Sequence, residues 1–229
     1  MIDLIKQIKV KKWAIFLGIL FLFLYLDLFF LIGLYYIDSN LEEITLTMSL
    51  IAIFFKYFIL IIIFMLMYHK YLKEKLMDFF HNFKKYVPIS FRYWFIGFLI
   101  MIISNMIINT LFPGLGQNEQ QVQSLIGKVP IIAFILTTFF APFIEEMIFR
   151  KYLQDAINSK LIYMIASGLI FGFVHVMGYN NPLEYLLIIP YGALGYMFAK
   201  IINDTDNIYC TIMMHMFHNG MLTLLAMLV

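Results

Sequence analysis

A succession of apolar stretches constrains this chain more than any other feature. About seven of them occur, at residues 13–37, 46–68, 91–112, 129–153, 161–177, 183–202 and 208–229. A helix rises 1.5 Å per residue and the hydrocarbon core of a bilayer is about 30 Å thick, so roughly 20 apolar helical residues cross it. Inside lipid every backbone N–H and C=O must find a partner within the protein, which restricts spanning structures to helices and closed barrels. The stretches lack the apolar–polar alternation of barrel strands, so each is expected to be a helix. The expected fold is all-α, a polytopic transmembrane helical bundle of about seven spanning helices.

Composition agrees: 63% of the 229 residues are hydrophobic, only 13% are charged, and the mean hydropathy is +0.88. Water-soluble domains carry about 25% charged residues, so this chain has too little polar surface to face water all round. The net charge of +2 is small and no Lys/Arg run interleaves with aromatics, which argues against nucleic acid as a partner. The lone cysteine, Cys210, excludes an internal disulfide and a thiolate zinc cluster. The first apolar stretch has no A-x-A-like end and is long for a signal peptide, so it is expected to be a retained helix.

Charge between the stretches predicts topology. Lys6, Lys9, Lys11 and Lys12 precede the first helix and Asp38, Glu42 and Glu43 follow it, placing the N-terminus in the cytoplasm by the positive-inside rule. Lys70, Lys73, Lys75, Lys84, Lys85 and Arg92 form a second basic region on the same side, where Leu72, Leu76, Phe79 and Phe83 suggest a short interfacial helix. Arg150, Lys151, Lys160 and Lys200 are again inside, residues 113–128 and 179–182 outside, and the C-terminus outside; Lys128 is the one basic residue left outside. The polar interruptions are too short for a soluble domain, so a single membrane domain is expected. Residues 1–112 carry no recognised motif, and 129–229 hold the polar groups.

Ionisable groups within spanning helices cost at least about 2.5–3.5 kcal/mol each on insertion scales and need a partner, a watery cavity or a function. Three sets lie in the C-terminal half: Glu145-Glu146-Met147-Ile148-Phe149-Arg150, Phe171-Gly172-Phe173-Val174-His175, and His215-Met216-Phe217-His218-Asn219. Glu146 and Arg150, four apart, share a helical face and suit an ion pair. Glu145 projects about 100° away and is free to face a different cavity. His215 and Asn219, also four apart, present two donors to one side, as an oxyanion site requires. His218 is turned away and reads as a bystander. Each set also has a plain structural reading: an ion pair at a helix end, a carbonyl-bonded histidine, an interhelical hydrogen-bonded pair. Asp27 and Lys56 read as a structural pair, and the spacings of Gly168 with Gly172 and of Gly192 with Gly195 as close helix packing.

Glu-Glu-x-x-x-Arg, Phe-x-x-x-His and His-x-x-x-Asn, in that order on separate apolar helices, resemble the motif set of the CAAX-protease and bacteriocin-processing family (CPBP, or Abi). The resemblance covers about residues 141–219 and includes the Ala-Pro before the first motif. It implies an intramembrane glutamic-type endopeptidase that hydrolyses a peptide bond in a membrane-associated or lipidated peptide or protein, with relatives in bacteriocin self-immunity and peptide processing. By that resemblance Glu145 and His175 activate the water, Glu146 and Arg150 orient the acidic motif, and His215 and Asn219 stabilise the oxyanion. Phe171 and Phe149 would line the substrate pocket. No cofactor is implied, with a zinc-dependent membrane protease as the minority alternative and a non-catalytic immunity or scaffold protein as the other. Counted from the expected cytoplasmic helix ends, Glu145 lies roughly 12 Å deep, His175 roughly 20 Å and His215 roughly 10 Å, so the three are near but not level.

Overall fold

The computed structural model describes residues 10–37 and 45–228. It is helical throughout, with no strand among the described residues. Helices α1 (Val10–Ile37), α2 (Leu46–His81) and α3 (Phe83–Leu111) are followed by a short α4 (Gln117–Lys128). Then come α5, a continuous span over Pro130–Ala156, α6 (Lys160–Val174), a 3-10 turn at Pro182–Leu187, α7 (Ile188–Thr205) and α8 (Ile208–Leu228). Six spans are long and apolar enough to cross a membrane, while the stretch expected at 161–177 is the shorter apolar helix α6. Phe58, Leu66, Met106 and Leu111 are more than half exposed on the outer surface, as lipid-facing side chains are.

Local chemistry accounts for the ends. Thr45 and Ser159 cap α2 and α6, their hydroxyls accepting from the N–H of Met48 and Ile162. The basic region between α2 and α3 differs from expectation. Instead of a loop with a short interfacial helix, α2 continues to His81 and only Asn82 separates it from α3. Residues 69–87 contain no glycine or proline, so nothing breaks the backbone ladder; charge density alone does not end a helix. At 36 residues α2 is roughly 54 Å long, well beyond a 30 Å hydrocarbon core, and its lysine-bearing turns run out of the apolar layer. The stretch 113–128, expected as an outer loop, likewise contains α4. Lys6, Lys9, Asp38, Glu42 and Glu43, charges flanking the first helix, lie outside the described residues.

Helix α7 is central: it packs on α6 and on α3, while α8 packs against α5 and α7, and α1 runs along α2. Glycines set the α6–α7 approach. A Cβ on Gly168 would lie 2.7 Å from the Gly192 carbonyl oxygen, and one on Gly172 would lie 2.8 Å from that of Ile188. Asp27 and Lys56 form the expected α1–α2 pair at 2.8 Å.

Helix α5 is not uniformly α-helical. Two π turns, Leu136–Phe140 and Met147–Tyr152, interrupt it on either side of Ala141–Glu146. Such widened turns are uncommon and cluster at functional sites.

Candidate active site

The acidic motif sits between the two π turns of α5, and its carboxylates have different surroundings. Glu146 is wholly buried; its Oε1 accepts a 2.8 Å hydrogen bond from His215 Nδ1 of α8, and its Oε2 lies 3.1 Å from Arg150 Nε. Arg150 is equally buried, with its guanidinium 4.8 Å from the ring centre of Phe171 and 5.6 Å from that of Phe198. Its nitrogens have no aligned hydrogen-bond acceptor, so charge pairing with Glu146 and the two ring faces are what hold the cation.

Glu145 does not face a separate cavity. Its Oε2 lies 3.8 Å from His215 Nε2, so one imidazole stands between both carboxylates. A histidine's two nitrogens point to opposite sides of the ring, which lets a single side chain reach carboxylates that a helix directs apart. Because a carboxylate only accepts, His215 Nδ1 carries a proton toward Glu146. Glu145 Oε2 and Glu146 Oε2 are both buried without an aligned hydrogen-bond donor. What separates them is charge: Glu146 has the Arg150 guanidinium at 3.1 Å and the bond from His215, whereas Glu145 has only the imidazole at 3.8 Å.

His175 closes α6 one residue beyond Val174. Its Nδ1 lies 2.8 Å from the Phe171 carbonyl oxygen, which can only accept, so Nδ1 donates that bond and Nε2 makes no hydrogen bond among the described residues. Among the described residues neither a hydrogen bond nor an ion-pair contact joins His175 to Glu145. The link is Phe171, whose ring lies 4.4 Å from His175, 5.8 Å from His215 and 5.4 Å, edge-on, from Phe149. The unequal depths expected from the sequence are bridged by an aromatic side chain.

Asn219, one turn beyond His215, is an anchor. In the first π turn the Ala141 N–H bonds to the Leu136 carbonyl, five residues back, so the next donor for the Thr137 carbonyl would be residue 142. That residue is Pro142, which has no N–H. Asn219 Nδ2 donates to the Thr137 carbonyl instead, at 3.0 Å, leaving its second N–H and its oxygen unengaged. Ser167 does the same at the second π turn, donating to the Phe149 carbonyl at 2.9 Å. Thr223 meets the Thr137 hydroxyl at 3.0 Å. His218, on another face of α8, is held by Trp94 Nε1 at 3.4 Å and lies apart from the carboxylates.

Sequence reasoning missed Ser167, Phe198, Thr137 and Tyr191, whose ring stacks 4.6 Å from His175. A polar residue in an apolar helix could have flagged Ser167 and Thr137; nothing local flags the two aromatics. Among the described residues no group of three or more His, Cys, Asp or Glu is arranged to hold a metal.

Comparison with known proteins bears on this half of the chain. The family described as type II CAAX prenyl endopeptidase Rce1-like matches residues 127–221, a stretch that contains all three motifs. Residues 127–221 are thus similar to the CAAX-protease-like family. A Bacillus subtilis (strain 168) protein named "Putative membrane peptidase YdiL" is 29% identical over 153 residues, covering 63% of this chain and 59% of that one. An uncharacterized protein of Mycoplasma capricolum subsp. capricolum is 29% identical over 176 residues, covering 70% of this chain and 50% of that one. UPF0177 protein YvdC of Lactococcus lactis subsp. lactis is 22% identical over 143 residues, covering 57% and 53%. The matches thus span between half and three-fifths of these relatives' lengths. No solved structure matches. The CAAX-protease-like segment coincides with α5–α8, the helices that build the site, and begins close to Pro130, the first residue of α5.

Proposed function

We propose that this multi-pass membrane protein is an intramembrane endopeptidase of the glutamic type, acting on a membrane-associated or lipidated peptide or protein. The observation that carries the reading is the division of labour in the acidic motif. Glu146 accepts from His215 and has the Arg150 cation 3.1 Å from its other oxygen, while the buried Oε2 of Glu145 has no such cation against it and lies 3.8 Å from a histidine nitrogen. A carboxylate with an unused lone pair, in a site that excludes bulk water, is suited to take a proton from a nucleophilic water.

In this reading Glu145 accepts that proton, with His175 Nε2 as the second acceptor holding the water. The water oxygen attacks the scissile carbonyl carbon, and the carbonyl electrons move onto its oxygen. An Nε2–H of His215 and the unengaged N–H of Asn219 stabilise the resulting oxyanion. Collapse breaks the C–N bond, and the proton held by Glu145 passes to the leaving nitrogen, restoring the carboxylate. Glu146 and Arg150 hold His215 in place, and Phe171 and Phe149 form the aromatic wall beside the scissile bond. The bilayer concentrates and orients the substrate. Bacteriocin self-immunity or peptide processing is the physiological setting that the family resemblance favours.

The test is cleavage of membrane-associated peptides by detergent-purified protein. Glu145→Ala and His175→Ala are each expected to lower kcat by about 10²–10⁴-fold, the range supplied by a positioned base. Wild-type rates in both variants would sink the mechanism; no cleavage by the wild type would favour a non-catalytic immunity or scaffold role. Activity is expected to survive exhaustive chelation; loss with recovery on adding zinc would instead make Glu145 and His215 metal ligands.

A further inference from the structure

A residue outside the three motifs contacts the ring of His175. Its imidazole lies between two aromatic rings, Phe171 at 4.4 Å and Tyr191 of α7 at 4.6 Å, the latter nearly parallel at 29°. Tyr191 is itself tied down: its hydroxyl donates to the Glu119 carboxylate and accepts from Asn118 Nδ2 at 3.1 Å. Both partners lie in the first turn of α4, a helix in the outer connection. That turn is fastened a second time. Glu184, only 1% exposed, accepts from the backbone N–H of Gly116 at 3.1 Å and of Gln117 at 3.4 Å, so a buried carboxylate caps α4. Tyr179 reaches Gln121 from the segment just after His175.

We propose that Tyr191 is a positioning residue for His175, its ring stacked on the imidazole so as to fix the plane of that ring. The hydrogen bond to the Phe171 carbonyl restrains Nδ1 but leaves the ring able to swing about it. Stacking on the open face removes that freedom. An Nε2 lone pair that must meet one water molecule gains from a fixed plane, since misplacement by about 1 Å can cost 10²-fold in rate. The rate consequence rests on the endopeptidase reading; the positioning itself does not.

Two readouts on the detergent-purified full chain separate these. In a cleavage assay Tyr191→Leu is expected to lower kcat about tenfold with KM little changed, because the ring orders a reacting group without binding substrate. Tyr191→Phe keeps the stack and is expected to retain most of kcat. Without reference to activity, diethyl pyrocarbonate modification followed by peptide mass spectrometry reports the reactivity of each histidine. His175 is expected to react several-fold faster in Tyr191→Leu than in wild type or Tyr191→Phe, with exposed His69 and His81 unchanged as internal references. Equal His175 reactivity in all three proteins would overturn the proposal, as would Tyr191→Phe behaving like Tyr191→Leu. Faster modification of His175 in a chain that cleaves nothing would uphold the positioning and refute the endopeptidase.

Discussion

At the scale of single residues, Arg150 is the most demanding side chain in the molecule. It is fully buried, opposite a fully buried Glu146, with no aligned hydrogen-bond acceptor and with its guanidinium over the Phe171 and Phe198 rings. Removing one partner of a buried pair strands the other charge, at a cost of about 3–5 kcal/mol. Arg150→Met is therefore expected to destabilise the protein by that order, measured by denaturation in detergent. Arg150→Met combined with Glu146→Gln should lose much less, because the amide that replaces the carboxylate carries no charge and can still accept from His215. Additive losses would show that the pair is not the source. Arg150→Lys should not restore wild-type stability, since an ammonium lacks the flat face that meets Phe171 and Phe198. Gly168 tests packing in the same way. A methyl there would meet the Gly192 carbonyl at 2.7 Å, so Gly168→Ala is expected to cost about 1–3 kcal/mol. Gly127→Ala, with open space around its Cβ, should cost nothing and gain helix propensity. Paired thermal melts in detergent check both.

At the scale of elements, the helices were legible because hydrophobic length is written directly in the residues, and the three motifs were legible because charge in an apolar run is expensive. The π turns were not. No residue type requires an i→i+5 bond, and the register shift shows only in which carbonyls are left over. Thr137 and Phe149 look ordinary in sequence; they matter because Asn219 and Ser167 come from other helices to satisfy their backbones. For the same reason Asn219 reads from its spacing as an oxyanion donor, whereas the structure also gives it an anchoring bond. The shared approach of Glu145 and Glu146 to His215 was illegible too, because it depends on where α8 lies. The continuation of α2 through the lysine-rich region was legible in principle, since no helix breaker interrupts it, but a dense run of charge suggests a loop. The anchoring role predicts a double-mutant cycle. Asn219→Ala should cost about 0.6–2 kcal/mol, the range for interhelical hydrogen bonds in membranes. In a Pro142→Ala background residue 142 regains an N–H for the Thr137 carbonyl, so the same Asn219→Ala change should cost measurably less. An unchanged cost would mean that Pro142 is not what frees that carbonyl.

At the scale of the whole molecule, the arrangement of α2–α3 and of α4 bears on how the chain sits in its membrane. The junction of α2 and α3 bears Lys70, Lys73, Lys75, Lys84 and Lys85 around exposed Met77 and Phe80, each 67% exposed, which suits an anionic cytoplasmic surface. The α4 segment has a single acidic and a single basic residue and is joined to the end of α6 through Tyr179 and to the start of α7 through Tyr191 and Glu184. Since α6 and α7 each connect these two levels, the basic junction and α4 lie at opposite ends of the bundle. Opposite ends of a spanning bundle predict opposite sides of the bilayer, and by the positive-inside rule the lysines predict that the junction is cytoplasmic. In a Cys210→Ala background, Gln123→Cys on the exposed face of α4 should be labelled by a membrane-impermeant maleimide in intact cells. Lys84→Cys should be labelled only after permeabilisation. The reverse pattern would invert the orientation and put His175 and Tyr191 at the cytoplasmic end; equal labelling of both would contradict the two-sided arrangement of the helices. The expected pattern would place the α4 clamp on the outer side, so that a peptide reaching His175 from that face meets Glu119, Asn118 and Tyr191 first.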